Sequence, residues 1–470
     1  MVLKKELTYF DVTSIVVGSI VGADIYIASS LTAGMLGPLA ILVWVCAGLC
    51  AVVIALVFAY CSYYVPRVGG PFAYVSEAFD DFYGFLAGWS IWIAEVLSLP
   101  VFAIAFVQYL QYFIALTLIE QIAIKAVFLF TLTFINIRGV KAAGRINDIL
   151  TIVKLVPLLL LIIMGFFFFI IHPQTVSQNY IPLAPLGIGS FGAALVIIFW
   201  AYVGFEMGTI PASEMKNPRR TIPKAIITGM IIVMAFYLLT NLVVYGVINW
   251  KQLAVAQTPL ISTGIVLFGS VGAVLMGIGA LVSVSGSDES GILGTARLTY
   301  ALSIDGLFPK LFAKEHSRYH TPYMALVALG IIAFVLSIFS GITQLISFAV
   351  FNLSFAFLLV CLSLIVLKKD KGKKLYGQHI LPWIGIIICL YLLYSTSIYD
   401  KIIGIIIIGV GIPIYVFFSP KTDIHHLKKL FVSEEAIMVR RLEKRERFLA
   451  HFFQHLYEGY KKIRYRGTKH

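Results

Sequence analysis

The chain has 470 residues, 60% of them hydrophobic and only 13% charged, with a formal net charge of +13. Its mean hydropathy is +0.94. Soluble domains carry about half apolar and a quarter charged residues, so this composition excludes a soluble enzyme or binding module and indicates an all-α polytopic membrane protein.

Apolar stretches long enough to cross about 30 Å of hydrocarbon recur from end to end. Twelve are expected, at 10–35, 38–64, 84–116, 121–138, 148–171, 189–212, 224–248, 264–302, 322–340, 342–367, 380–398 and 401–418. The first begins after charged residues, as a secretion signal would. It runs too long and lacks a small-residue cleavage site, so it reads as a span.

The gaps between spans alternate in charge. Gaps after odd-numbered spans carry Lys125, Lys251 and Lys401 and little else. Gaps after even-numbered spans carry Arg67; Arg138, Lys141 and Arg145; Lys216, Arg219, Arg220 and Lys224; Lys310, Lys314 and Arg318; and Lys368, Lys369, Lys371, Lys373 and Lys374. With Lys4 and Lys5 the count is 18 against 3. Cytoplasmic loops are the Lys/Arg-rich ones, so both termini are expected in the cytoplasm of a multi-pass cell-membrane protein.

After the last span, residues 419–470 hold thirteen Lys and Arg interleaved with Phe448, Leu449, Phe452, Phe453, Leu456 and Tyr457. This tail reads as a basic amphipathic segment lying on anionic lipid. Nucleic-acid binding, the other reading of a basic run, is disfavoured by its tether to the membrane. Cys46, Cys50, Cys61, Cys361 and Cys389 fall inside expected spans without metal-ligand spacing, so they read as small packing residues. No cofactor, metal or catalytic set is expected: no His-Glu-x-x-His helix, phosphate loop or Ser/His/Asp group occurs, and no histidine lies at a span centre.

Two spans carry glycine where a membrane helix should be most regular. Span 1 contains Val17-Gly18-Ser19-Ile20-Val21-Gly22-Ala23-Asp24-Ile25-Tyr26, and span 6 contains Ala201-Tyr202-Val203-Gly204-Phe205-Glu206-Met207-Gly208. A broken helix at membrane depth is tolerated where its freed main-chain groups face protein or a water-filled cavity. Interrupted spans in matching positions of two halves point to the binding site of a secondary transporter. A broken helix leaves carbonyls unpaired on one side and amides on the other. The carbonyls suit an ammonium and the amides a carboxylate.

Several segments carry a resemblance. Pro66-Arg67-Val68-Gly69-Gly70-Pro71-Phe72-Ala73-Tyr74 precedes span 3, where Gly84-Phe85-Leu86-Ala87-Gly88-Trp89 follows. Asn136-Ile137-Arg138-Gly139-Val140-Lys141 ends span 4. Glu214-Met215-Lys216-Asn217-Pro218-Arg219-Arg220-Thr221-Ile222-Pro223 follows span 6, and Asp305-Gly306-Leu307-Phe308-Pro309-Lys310 and Tyr319-His320-Thr321-Pro322 follow span 8. Together, and in this order, they resemble the amino acid–polyamine–organocation transporter superfamily, proton-coupled archaeal or bacterial type, over residues of about 8 to 420.

The resemblance implies a LeuT-type 5+5 inverted repeat with spans 1 and 6 discontinuous. Residues 1–171 would form the first repeat, 189–368 the second, and 379–418 two additional helices. It also implies an amino acid or amine held between spans 1 and 6. The expected function is secondary active transport of amino acids by proton-coupled symport. Exchange of amino acids for cationic amines, or nutrient sensing through the tail, are the alternatives.

The expected substrate-binding residues are Gly18, Ser19, Gly22, Ala23, Asp24, Phe199, Val203, Gly204, Phe205 and Glu206. Phe199, Trp200 and Phe205 either shape the pocket or pack in the core. Asp24 departs from the family, which usually has a second glycine there. A charge at a helix centre costs about 2.5–3.5 kcal/mol on insertion scales and needs a partner. Asp24 either binds the substrate's ammonium or serves as an internal polar hinge. Lys154 lies alone in Leu150-Thr151-Ile152-Val153-Lys154-Leu155-Val156-Pro157. The resemblance places a lysine of this span where sodium-coupled relatives hold an ion, which makes protons the expected coupling partner. Asp288, Glu289 and Glu95 complete the expected proton-coupling set. Neighbouring helical positions diverge by about 100°, so at most one of Asp288 and Glu289 would face Lys154.

Overall fold

In hydrocarbon a chain must satisfy its own main-chain hydrogen bonds, and an α-helix does so within one segment. The computed structural model describes residues 8–66, 69–139, 143–209, 215, 217–370 and 377–418, with the side chains of 143–150 and 369–370 left aside. Helix occupies each of the twelve apolar stretches. Nine helical runs among the described residues are long and apolar enough to cross a membrane, and three apolar helices are shorter. Lys4, Lys5, Arg67, Val68, Val140, Lys141, Glu214, Lys216, Lys371, Lys373, Lys374 and the tail 419–470 lie outside the described residues.

The first run, Tyr9–Tyr64, comprises α1 (Tyr9–Ile20), α2 (Ala23–Leu36), a 3-10 turn and α3 (Ala40–Tyr64). Thr8 opens α1 with a capping box: its hydroxyl receives the Asp11 amide at 3.3 Å, and Asp11 Oδ2 receives the Thr8 amide at 2.7 Å. The chain continues through α4 (Pro71–Ala78), α5 (Asp81–Gln111), α6 (Leu118–Arg138), α7 (Ala143–Ile171) and α8 (Pro173–Tyr180). Asp80 caps α5, and Thr117 with Glu120 caps α6.

The second half holds α9 (Phe191–Ala201), a 3-10 turn at Phe205–Thr209, α10 (Pro218–Val247), α11 (Trp250–Val255), α12 (Pro259–Phe268) and α13 (Ser270–Ile304). Then come α14 (Tyr323–Phe339), α15 (Ile342–Asp370), α16 (Leu381–Ser395) and α17 (Ile398–Phe418). The stretch expected at 264–302 is divided. Gly269 adopts φ of 64°, a left-handed conformation open to glycine, and it ends α12 one residue before α13 starts.

Burial separates the helices into two classes. Most residues of α2 and α9 are buried, α1 is mostly buried beyond its exposed start at Tyr9 and Phe10, and α5 packs extensively on α13 and α15. Helices α6, α16 and α17 present Ile119, Val127, Ile387, Leu390, Ile405 and Ile406 outward, as lipid-facing helices do. The polar residues of the short central helices are therefore enclosed by other helices, away from lipid.

Candidate functional site

The two glycine-bearing segments are adjacent. Helix α1 ends at Ile20 and α2 begins at Ala23, with Gly22 at φ −142° and ψ −138° between them. Helix α9 ends at Ala201, and the chain passes through Gly204 at φ 123° into the 3-10 turn. A Cβ on Gly204 would lie 3.0 Å from the Ser19 carbonyl carbon. A Cβ on Gly22 would lie 2.8 Å from Phe102 Cε1 and 2.9 Å from Ser287 Cβ. At Gly204 glycine lets the two backbones approach closely, and at Gly22 it leaves room for the Phe102 and Ser287 side chains.

The Gly18, Ile20 and Val21 carbonyls at the end of α1 are claimed by side chains. Lys154 is 2% exposed, and its ammonium donates to the Gly18 oxygen at 2.7 Å, the Val21 oxygen at 3.0 Å and Ser287 Oγ at 3.1 Å. An ammonium has three N–H groups, so this one is fully used. Ser287 Oγ donates to the Val21 oxygen at 2.8 Å, and Ser283 Oγ lies 3.3 Å from the same acceptor. The Tyr237 hydroxyl lies 3.1 Å from the Ile20 oxygen.

One amide at each break is claimed by a neighbouring carboxylate. Gly22 donates its amide to Asp24 Oδ1 at 2.8 Å, while the Tyr237 hydroxyl bonds Asp24 Oδ2. Gly204 donates its amide to Glu206 Oε2 at 3.1 Å. Glu206 is 1% exposed, and its other oxygen has no partner. The same device thus recurs: a carboxylate two residues on folds back over the first amide after the break.

A cavity opens between these breaks and the flanking helices. Ser19, Ile20 and Asp24 line it from α1 and α2, and Val203, Gly204 and Met207 from the second break. Helix α5 contributes Glu95, Ser98 and Phe102, α9 contributes Trp200, and α13 contributes Ser287 and Gly291. Trp200 Nε1 donates to Ser98 Oγ at 3.0 Å, which fixes the indole. The Trp200 and Phe102 rings stand 6.0 Å apart at 47°.

The residues singled out in the sequence therefore divide. Ser19, Asp24, Val203, Gly204 and Glu95 line the cavity. Gly18, Gly22 and Glu206 hold the breaks together behind it, and Ala23 is fully buried. Phe199 and Phe205 are fully buried and pack on Phe357, with Phe205 also against Phe58. Lys154 sits at the α1 terminus beside Ser287. Asp288 is wholly buried in α13 with both carboxyl oxygens unpartnered. Glu289 is partly exposed, within electrostatic reach of Arg297 and Lys154.

Tyr237, Phe102 and Met207 were not legible as site residues. Tyr237 had one usable signal: a hydroxyl in the middle of the apolar run Met234-Ala235-Phe236-Tyr237-Leu238, where tyrosine, normally an interfacial residue, needs a buried partner. Among the described residues no group of three or more His, Cys, Asp or Glu could hold a metal ion.

The sequence is similar to those of known membrane transporters. Residues 7–422 match the family described as amino acid permease. The chain is 27% identical over 447 residues to the branched-chain amino acid permease BcaP of Bacillus subtilis (strain 168), covering 89% of this chain and 94% of that protein. It is 27% identical over 442 residues to the methylthioribose transporter of the same organism, covering 89% and 94%. An arginine/agmatine antiporter of Chlamydia felis (strain Fe/C-56) is 27% identical over 469 residues, covering 93% and 94%.

Proposed function

The chain belongs to the amino acid permease family of the amino acid–polyamine–organocation superfamily, a family of membrane transporters and not of enzymes; from that premise we propose that it carries a small ammonium-bearing solute, an amino acid or a related amine, by proton-coupled symport. Twelve spans, a LeuT-type 5+5 repeat and a cell-membrane location with both termini in the cytoplasm are part of this reading. The solute would occupy the cavity between the α1–α2 break and the break after α9. Ser19, Asp24, Val203 and Gly204 would face it, with Gly18, Gly22, Ala23 and Glu206 holding the breaks in shape.

One observation carries the coupling step: Lys154 donates to Gly18, Val21 and Ser287 at 2.7, 3.0 and 3.1 Å. A protonated lysine there joins α7 to the end of α1 and to α13. Loss of its proton removes one donor and the charge attracted to the carbonyl end of α1. The link between these helices then weakens, and the central pair can tilt against the rest. Asp24, joined to Tyr237 behind the same break, is a group to which that proton could pass. Asp288, Glu289 and Glu95 complete the set of carboxyls available to protons. A sodium ion is disfavoured because the ammonium already occupies the cluster of oxygens at this position.

Exchange is the second reading, favoured by the arginine/agmatine antiporter among the relatives. The two are separated by loading proteoliposomes with a pH-sensitive dye and adding solute outside. Symport acidifies empty vesicles as solute enters. Exchange requires solute on the inner side and moves no protons. The tail 419–470 would lie on anionic lipid.

A further inference from the structure

We propose that Tyr202 is a positioning residue for transport: through the contact of its ring with that of Tyr237, it carries the hydrogen-bonding state of Asp24 to the second break. The inference rests on the transport reading above and adds to it a link between the two breaks that runs behind the cavity.

The link begins at Asp24. Its Oδ2 receives the Tyr237 hydroxyl, which also lies 3.1 Å from the Ile20 oxygen where α1 ends. An ionised Asp24 accepts the hydroxyl proton, whereas a protonated Asp24 leaves that proton for the Ile20 carbonyl. With glycine at position 24, Tyr237 would have the carbonyl alone. Tyr237 from α10, Tyr202 from the second break, Lys154 from α7 and Tyr26 of α2 itself are the titratable groups within electrostatic reach of Asp24. Glu95 of α5 lines the same cavity.

The link continues through rings. The Tyr237 and Tyr202 centroids lie 5.3 Å apart at 51°, and the Trp44 indole of α3 stands edge-on to both, at 5.6 and 5.9 Å. All three side chains are wholly buried, and neither tyrosine lines the cavity. Tyr202 caps α9, giving its amide to the Phe199 oxygen at 3.0 Å, and Gly204 follows two residues on. Its hydroxyl donates to the Trp44 oxygen at 3.2 Å, and its ring lies against Gly48, where a Cβ would stand 3.2 Å from Cζ. A close-packed interior transmits a displacement instead of absorbing it. A shift of the Tyr237 ring as its proton changes acceptor therefore reaches the residue at which α9 ends.

The test needs no solute. Trp200 precedes Tyr202 by two residues and faces the cavity, so its fluorescence reports on the second break. Its emission is obtained with the detergent-purified full chain, each protein minus its Trp200→Phe counterpart, from pH about 4 to about 9. The wild type is expected to show a transition that Asp24→Asn abolishes. Tyr202→Leu is expected to abolish it too, with Tyr202→Met in its place if the leucine variant does not fold. Tyr202→Phe keeps the ring and is expected to retain the transition. A transition that survives loss of the ring or survives Asp24→Asn, or that is absent from the wild type, overturns the inference. Its loss in Tyr202→Phe does so as well, because the effect would then belong to the hydroxyl's tie to Trp44. Failure of the transport reading is read separately, as absence of solute-linked proton entry in the wild type, and the fluorescence result does not depend on it.

Discussion

Gly204 presses on the main chain of Ser19, so that a Cβ there would stand 3.0 Å from the Ser19 carbonyl carbon and 3.1 Å from its oxygen. The two breaks are fitted to one another through this contact, and each depends on the other to hold its shape. At φ 123°, Gly204 also occupies a conformation that side-chain-bearing residues rarely adopt. Gly204→Ala should cost about 1–3 kcal/mol through backbone strain and reduce substrate entry far more than membrane insertion. Thermal unfolding of detergent-purified protein and counterflow, measured on one preparation, check this.

Removing the Lys154 ammonium takes the 2.7 Å donor from the buried Gly18 oxygen, while the Val21 oxygen keeps Ser287 Oγ at 2.8 Å. Lys154→Met should therefore destabilise by about 1–3 kcal/mol, the cost of a buried unpaired acceptor. Lys154→Arg keeps the charge but cannot place a planar fork on acceptors arranged around a point. It should retain more stability than methionine and still fail to couple protons. Chemical denaturation monitored by tryptophan fluorescence ranks the three proteins.

One Tyr237 hydroxyl serves both Asp24 Oδ2 and the Ile20 oxygen, yet it has a single proton to give. Which acceptor receives it depends on whether Asp24 is protonated. Tyr237→Phe and Asp24→Asn should therefore be non-additive, with a coupling of about 1–3 kcal/mol in a double-mutant cycle. Transport by either single variant should lose most of its dependence on external pH. Additive effects would separate Asp24 from Tyr237 in function.

Asp288 presents two carboxyl oxygens to a wholly buried site with no partner for either. Replacing an unsatisfied polar group by an apolar one of similar size can be neutral or stabilising. Asp288→Leu should leave the protein as stable or raise its unfolding temperature. As a member of the proposed proton-coupling set, it should slow uptake driven by a pH gradient and spare counterflow at equal pH. The two rates, measured side by side, decide it.

The sequence marks Gly18, Gly22 and Gly204 inside otherwise continuous apolar runs; Gly18 lies within α1, Gly22 stands between α1 and α2, and Gly204 follows the end of α9. Lys154 was visible because a lone cation deep in a span must have a partner. Which aromatic side chains reach the cavity was not visible. A break resets the angular phase of a helix, so positions on either side of it cannot be projected onto one face. Phe199 and Phe205 accordingly pack on Phe357, while Trp200 and Phe102 face the cavity. The partner of Asp24 was hidden for another reason. Tyr237 is 213 residues away in the chain, and only the packing of α10 beside α1 brings it there.

The most direct test is simultaneous measurement of proton and solute entry into vesicles containing this protein or its Lys154→Met variant. The wild type should acidify the lumen in fixed proportion to solute taken up, and the variant should exchange solute without acidification. Solute accumulation by the wild type with no accompanying proton movement, or undiminished acidification in the variant, would contradict a coupling role for Lys154.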